Sequence, residues 1–201
     1  MILHKIQQNS DEWDKIRLGK FTASSCDKLL SGENTKGYTE LIEKIAEERF
    51  TGEKCQSKVW IGNSFTERGH MLEPIAIQQY ENESFNVVES IGFVEKDSWC
   101  GCSPDGLIGD NKLIQVKCPI FRTQMEYHEK LKVPTNYYKQ MQFELYTTKR
   151  ESNIFYSYHP KLSAVEIEVF VDEIMQKEID NRMKIAIEQV EYKIEIIKKF
   201  I

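Results

Sequence analysis

Apolar residues in this chain repeat at one spacing, then at another, and the change falls near residue 85. Before it the spacing is helical. Tyr38 to Phe50 places Leu41, Ile42, Ile45 and Ala46 three and four apart, with Gly52 behind them as a stop. Residues 66–83 put Leu72, Ile75, Ala76 and Tyr80 on or near one face, although Pro74 fits a helix only in its first turn. Residues 10–30 predict a helix start, a turn at Gly19 and a Thr-Ala-Ser-Ser cap into a second helix. Phe85–Val94 and Ser98–Ile108 are instead rich in β-branched and aromatic residues, and Lys112–Cys118 predicts a third strand after an Asp110-Asn111 turn. Thr135–Thr148 returns to helix. Asn153–Tyr158 and Val165–Val171 alternate as strands around a His-Pro-Lys turn. The last 30 residues step Ile179, Met183, Ala186, Val190, Ile194 and Ile197 by three and four, which predicts a long amphipathic helix.

That order predicts a mixed α/β layer fold with a central mixed β-sheet flanked by helices. At 201 residues the chain is expected to be one domain: N-terminal helices over 1–83, a sheet core over about 84–171 and a C-terminal helix over about 171–200. A chain of this length buries about 70% of its unfolded surface and needs no disulfides. Its five cysteines are odd in number, and Cys100 and Cys102, two apart on a strand, are expected as buried small hydrophobes. No apolar run approaches the ~20 residues of a membrane span, and Met1–Gln8 lacks the apolar centre of a signal peptide. A cytoplasmic protein, with no membrane partner, is expected. The net charge of −5 argues against a purely electrostatic nucleic-acid binder but not against a nuclease, because a site that holds magnesium is itself acidic.

The stretch from Cys102 to Pro119 carries the chemistry. Asp105 follows Pro104 at the end of one expected strand. Gln115 and Lys117 lie two apart on the next and share a face. A hairpin brings that face beside Asp105, gathering a carboxylate, an amide and an ammonium at a strand edge. A lysine among Leu113, Ile114 and Val116 is costly to bury unless paired. The alternative is that Asp105 caps a turn and Lys117 reaches outward.

This arrangement resembles the Pro-Asp…(Asp/Glu)-x-Lys signature of restriction-endonuclease-like nucleases. Three further segments narrow the resemblance: Arg17-Leu18-Gly19-Lys20-Phe21-Thr22-Ala23-Ser24, then Lys117-Cys118-Pro119, then Tyr138-Lys139-Gln140-Met141-Gln142. In that order and spacing, over residues 13–160, the chain is similar to the YqaJ-type viral recombinases, the phage lambda exonuclease family. The resemblance implies a restriction-endonuclease-like core. It also implies metal ligation by Asp105, Gln115, the Val116 carbonyl and Glu73, with two Mg²⁺ ions and Mn²⁺ as a substitute. Lys117 takes the place of the catalytic lysine, and Gln142 that of a glutamine that fixes the nucleophile and the scissile phosphate. Arg17 and Ser24 correspond to a pocket for the 5′-phosphate, for which a forked guanidinium and a hydroxyl near a helix N-terminus are suited. The activity implied is a 5′-to-3′ exonuclease that acts on double-stranded DNA ends and leaves 3′ single strands for homologous recombination. The implied partners are DNA ends, a single-strand annealing protein and two further copies in a homotrimeric ring.

The family pattern has Glu or Asp where this chain has Gln115. An amide oxygen coordinates magnesium but carries no full charge, so weaker metal binding is expected. Glutamine here is either a variant that keeps activity or a near-isosteric change that leaves a DNA-end-binding protein without turnover. A related iron–sulfur nuclease of CRISPR adaptation is disfavoured, since no cysteine follows Cys118. Trp13, Trp60 and Trp99 fit either the core or a stacked base, with Trp99 expected in the core. The four histidines show no ligand spacing.

Overall fold

The computed structural model describes residues 1–55 and 64–200. Two mixed sheets form the centre of the molecule. The first contains β1 (Ile2–His4), β4 (Phe93–Glu95), β5 (Cys100–Cys102) and β2 (Phe21–Thr22), side by side in the order β1-β4-β5-β2. The second contains β3 (Val88–Glu89), β6 (Gly106–Ile108), β7 (Lys112–Lys117), β8 (Ser152–His159) and β9 (Leu162–Phe170), in the order β3-β6-β7-β8-β9.

The sheets draw strands from outside the segment expected to form the sheet core. Two strands, β1 and β2, come from the segment expected to be helical. β2 pairs in parallel with β5 through Phe21↔Cys100 and Thr22↔Gly101. A two-residue strand has no alternation to detect, and its partner lies far along the chain. The two longer β segments are each divided. Phe85–Val94 opens with Phe85 at φ 57°, then lends β3 to one sheet and the start of β4 to the other. Ser98–Ile108 breaks at Ser103-Pro104-Asp105, between β5 and β6. Pro104 has no N–H to continue a ladder. That break hands the chain from the first sheet to the second.

The helices are α1 (Asp11–Arg17), α2 (Cys26–Leu29), α3 (Lys36–Thr51), α4 (Ser64–Ser84), α5 (Phe121–Lys130), α6 (Thr135–Thr148) and α7 (Glu173–Lys198). A 3-10 turn at Ala23–Ser25 precedes α2. Helix α4 runs through Pro74, which lies well beyond its first turn, and it leaves Ile75 exposed. Helix α5 was not expected, because Gln124 and Tyr127 give it little apolar pattern. Gln124 is instead buried by bonds to β8 and β9, with Nε2 donating to the Ser157 and Ser163 carbonyls. Strands β7 and β8 pair in parallel from Lys112↔Ser152 to Lys117↔Ser157, and α5 and α6 form the crossover between them.

Odd and even positions of β7 enter different cores. Leu113 packs with Phe143, Leu145, Tyr146 and the inner face of α7, where Ile179, Met183, Ala186 and Val190 are buried as expected. Ile114 and Val116 pack with Ala76, Tyr80, Ile154 and Tyr156 under α4. Each such side chain contributes about 1.5–3 kcal/mol relative to exposure. The consequence for the site is that β7 is fixed on both faces, with Gln115 on the same side as Leu113. Cys100 and Cys102 are fully buried, and no disulfide joins the cysteines of the described residues. No described helix is long and apolar enough to cross a membrane.

Candidate active site

The β6–β7 hairpin aligns Gly106 with Ile114, so Asp105, one residue before β6, stands opposite Gln115. Gly106 leaves room for β3 on the other side of β6: a Cβ there would meet Val88 Cγ1 at 2.2 Å. Asp105 Oδ2 accepts from the Val116 N–H at 2.7 Å and from Gln115 Nε2. Lys117 Nζ lies 3.8 Å from the same oxygen and donates to the Val116 carbonyl at 2.9 Å. The ammonium also stands 5.2 Å from the centre of the Tyr137 ring. The hairpin thus brings Asp105, Gln115, Val116 and Lys117 together. Asp105 accepts bonds from β7, rather than capping an isolated turn.

Glu73, on α4, completes the acidic set. Burial and the Asp105 charge push its carboxyl up to about 7, against a smaller opposing effect of Lys117. Burial likewise raises Asp105, outweighing Lys117 and the bonds from Val116 and Gln115. Glu73 opens onto a cavity of about 550 Å³ that is also lined by Arg68, His70, Val116, Lys117 and Tyr137. The sequence reading missed Arg68. Its Nη1 donates to the Cys118 and Pro119 carbonyls at 2.6 and 2.7 Å, which ties α4 to the end of β7. The donors present, two carboxylates of like charge and the Val116 carbonyl, are hard oxygens that suit Mg²⁺. A cation there would relieve the mutual repulsion of Asp105 and Glu73. Among the described residues no group of three His, Cys, Asp or Glu side chains is placed to hold a metal.

Helix α6 supplies the floor, and here one expectation is corrected. Gln142 does not reach the site. It is fully buried, its Nε2 donates to the Phe170 carbonyl at 2.7 Å and its Oε1 accepts from the Asp172 N–H at 3.0 Å. The residue that does reach the site is Gln140, whose Nε2 donates to Gln115 Oε1 at 2.7 Å. Two residues along a helix are about 200° apart, so the two glutamines face opposite ways. The same Gln140 nitrogen donates to Glu144 Oε1 at 3.0 Å, and Asn153 Nδ2 donates to Glu144 Oε2 at 2.7 Å. Glu144 is fully buried, and burial with the Asp105 charge pushes its carboxyl up to about 8.

Arg17 sits against Ser103, two residues before Asp105. Its Nη1 donates to Ser103 Oγ at 3.0 Å, and its guanidinium stacks 3.8 Å from the Trp13 ring centre. Burial lowers it to about 10, so it stays charged at neutral pH. Its loop is clamped at Gly19 (φ 65°), whose N–H donates to Glu48 and whose carbonyl accepts from Arg49. Ser24 is exposed, and its hydroxyl lies 3.2 Å from Thr22 Oγ1. Among the described residues no hydrogen bond joins it to Arg17. Trp13 donates from Nε1 to the Gly92 carbonyl and to Ser103. Trp99 packs against the core beneath Arg49, as expected. Trp60 lies outside the described residues.

A family model described as the YqaJ-like viral recombinase domain matches residues 12–151. Among solved structures, the chain is similar to an alkaline exonuclease, LHK-Exo, from Laribacter hongkongensis, at 29% identity and a TM-score of 0.85. That match covers 94% of this chain and 97% of that one. A structure of LHK-Exo in complex with dAMP matches at 30% identity, with the same TM-score and coverage. A phage-related exonuclease from Haemophilus somnus 129PT shares the fold, at 14% identity and a TM-score of 0.67, over 89% of this chain and 96% of that one. No curated protein sequence matches. The order of the motifs, the hairpin that joins Asp105 to Lys117 and the matched span agree, and the chain belongs to the YqaJ-like viral recombinase family.

Proposed function

We propose that the protein is a metal-dependent exonuclease that degrades double-stranded DNA from 5′ ends and leaves 3′ single strands for phage-type recombination. The observation that carries this reading is that Glu73, Val116 and Lys117 line one cavity while Asp105 accepts from the Val116 N–H and lies 3.8 Å from Lys117. Its similarity to LHK-Exo supports the exonuclease class. The dAMP complex of that relative supports a site that accommodates a nucleoside 5′-monophosphate.

In this reading Asp105, Glu73 and the Val116 carbonyl would hold Mg²⁺, with Mn²⁺ as a substitute, and Gln115 stands where a third side-chain ligand belongs. Two such ions, when bound, would supply charge stabilisation to an in-line phosphodiester hydrolysis. Lys117 provides a positive charge beside the scissile phosphate and a donor toward the attacking water. Gln140, rather than Gln142, takes the role of the positioning glutamine. Arg17, next to Ser103-Pro104-Asp105, grips the 5′-phosphate with the guanidinium that now bonds Ser103. Ser24 adds a hydroxyl to that grip. A homotrimeric ring around DNA, a single-strand annealing partner and a cytoplasmic location complete the reading, on the strength of the family.

The test is to incubate the protein with Mg²⁺ and linear duplexes labelled at either end, beside closed circular DNA. Release of nucleotides from the 5′ end of the linear DNA alone supports the proposal. Digestion of closed circles, or release from 3′ ends, sinks it. One observation favours a second reading: the Gln115 amide N–H, not an oxygen, faces Asp105. A stable complex on DNA ends without digestion would make the protein an end-binding factor.

A further inference from the structure

A polar chain runs from the cation site into the protein interior, and its hydrogen bonds have a direction. Asn153 donates to Glu144. Gln140 uses both N–H bonds of one nitrogen, one on Glu144 and one on Gln115 Oε1. Gln115 is therefore left with its nitrogen toward Asp105. Every donor adjacent to Glu144 points at it, which is the arrangement an ionised carboxylate demands. A proton on Oε2 would be offered to Asn153, whose buried Oδ1 has no partner, whereas a proton on Oε1 is an O–H aimed at Gln140. Gln140 must then turn its oxygen inward to accept it, and the Gln115 nitrogen turns to that same oxygen. The Gln115 oxygen then faces Asp105.

We propose that Glu144 is a positioning residue which, through Gln140, sets which end of the Gln115 amide faces Asp105, and so whether position 115 offers a cation an oxygen or an N–H. The inference rests on the metal-dependent reading of the same site. An oxygen at 115 beside ionised Asp105 is repulsive without a cation between them. A proton on Glu144 and a divalent cation at Asp105 thus stabilise the same arrangement, and each must promote the other's binding.

The groups around Glu144 make the proton exchangeable at physiological pH. Asp105 faces it from the β5–β6 link, Lys117 from β7, and Asn153 from β8. The Cys102 thiol on β5 and the Cys26 thiol on α2 are both held neutral by burial. With burial and Asp105 dominant, the carboxyl changes state near pH 8. In Glu144→Gln, with the new amide oxygen on the Asn153 N–H, the new N–H₂ points at Gln140 as an acid protonated on Oε1 would.

Mg²⁺ titration calorimetry on the full chain at pH 8.5, repeated in buffers of different ionisation enthalpy, tests this. Metal binding ordinarily releases protons. The wild type is expected to take up a proton instead, and to lose about 10–100-fold in affinity between pH 7.5 and 9.5, the scale of outer-sphere changes at metal sites. Glu144→Gln should show neither effect. Gln115→Glu, with oxygen at both ends, should also lose both, and it keeps the test decisive if Glu144→Gln does not fold. Proton release by the wild type, or an affinity that climbs above pH 8, would mean that Glu144 acts only as a remote negative charge and overturns the inference alone. Failure of every form to bind Mg²⁺ at any pH overturns both the inference and the metal-dependent reading beneath it.

Discussion

The rim and the floor of the site are built on opposite principles. At the rim, Glu73 and Lys117 open onto a cavity, and their neighbours are charges that a substrate or cation can exchange for its own. At the floor, Gln115, Glu144 and Asn153 are buried, the half-buried Gln140 links them, and each bond there bears on the next. Removing a rim group takes away one interaction. Changing a floor group can alter the orientation of groups it does not touch, because Gln140 and Gln115 bond in series and turning one amide reverses what the next is offered. The difference locates specificity and chemistry at the rim, and the competence of the site in the floor.

The comparison breaks first at Asp105, which belongs to both regions. Asp105→Ala is expected to reduce cleavage to background and abolish Mg²⁺ binding while circular dichroism stays unchanged. Full activity in that variant would remove the nuclease mechanism altogether. Next comes Gln115→Glu, which adds a charge to the floor. The site then faces the phosphate and cations with three carboxylates instead of two. Single-turnover cleavage is expected to rise by about 10²–10³-fold, the scale for one transition-state stabilising group. Equal rates and equal Mg²⁺ midpoints for the two forms would show that residue 115 does not contact the metal.

Arg17→Ala probes the rim alone. A hydrogen bond to a charged group contributes about 1.5–3 kcal/mol, so a loss of roughly 10–100-fold is expected on 5′-phosphorylated duplexes, and little on 5′-hydroxyl ones. An equal loss on both substrates would assign Arg17 to the Trp13–Ser103 packing and not to phosphate. The smallest effect on catalysis is expected at Gln142. Gln142→Ala leaves the Phe170 carbonyl and the Asp172 N–H without partners, and should lower unfolding stability by about 1–3 kcal/mol in urea. Cleavage by the folded fraction should stay near wild type. A thousandfold loss of rate with normal stability would return Gln142 to the site.

The contrast between Gln140 and Gln142 marks how far the residue order could lead. Both lie in Tyr-Lys-Gln-Met-Gln, and the motif cannot say which one faces the hairpin. The answer depends on the rotation of α6, and that is set by Phe143 and Leu145 in the larger core and Met141 in a smaller one. Asp105, Gln115 and Lys117 were legible because strand alternation is local and the hairpin connecting them is short. Arg68 and Glu144 were not, because a polar residue on a helix reads as solvated until its partners arrive from other elements. The N-terminal strands β1 and β2 were hidden for a related reason: a strand of two or three residues exists only through the partner it pairs with.

The sequence by itself determined the α/β class, the long C-terminal helix, the strand face shared by Gln115 and Lys117, and the family to which the motifs belong. These follow from periodicity and short spacing, which are properties of neighbouring residues. Only the tertiary structure decided that the sheet is two sheets joined at Ser103-Pro104-Asp105, and that Gln140 and not Gln142 meets the hairpin. It also decided that Glu144 is a buried acid at the end of a directed hydrogen-bond chain. Those facts depend on which segments pack together and on how little water remains between them. Neither quantity is carried by any stretch of residues alone.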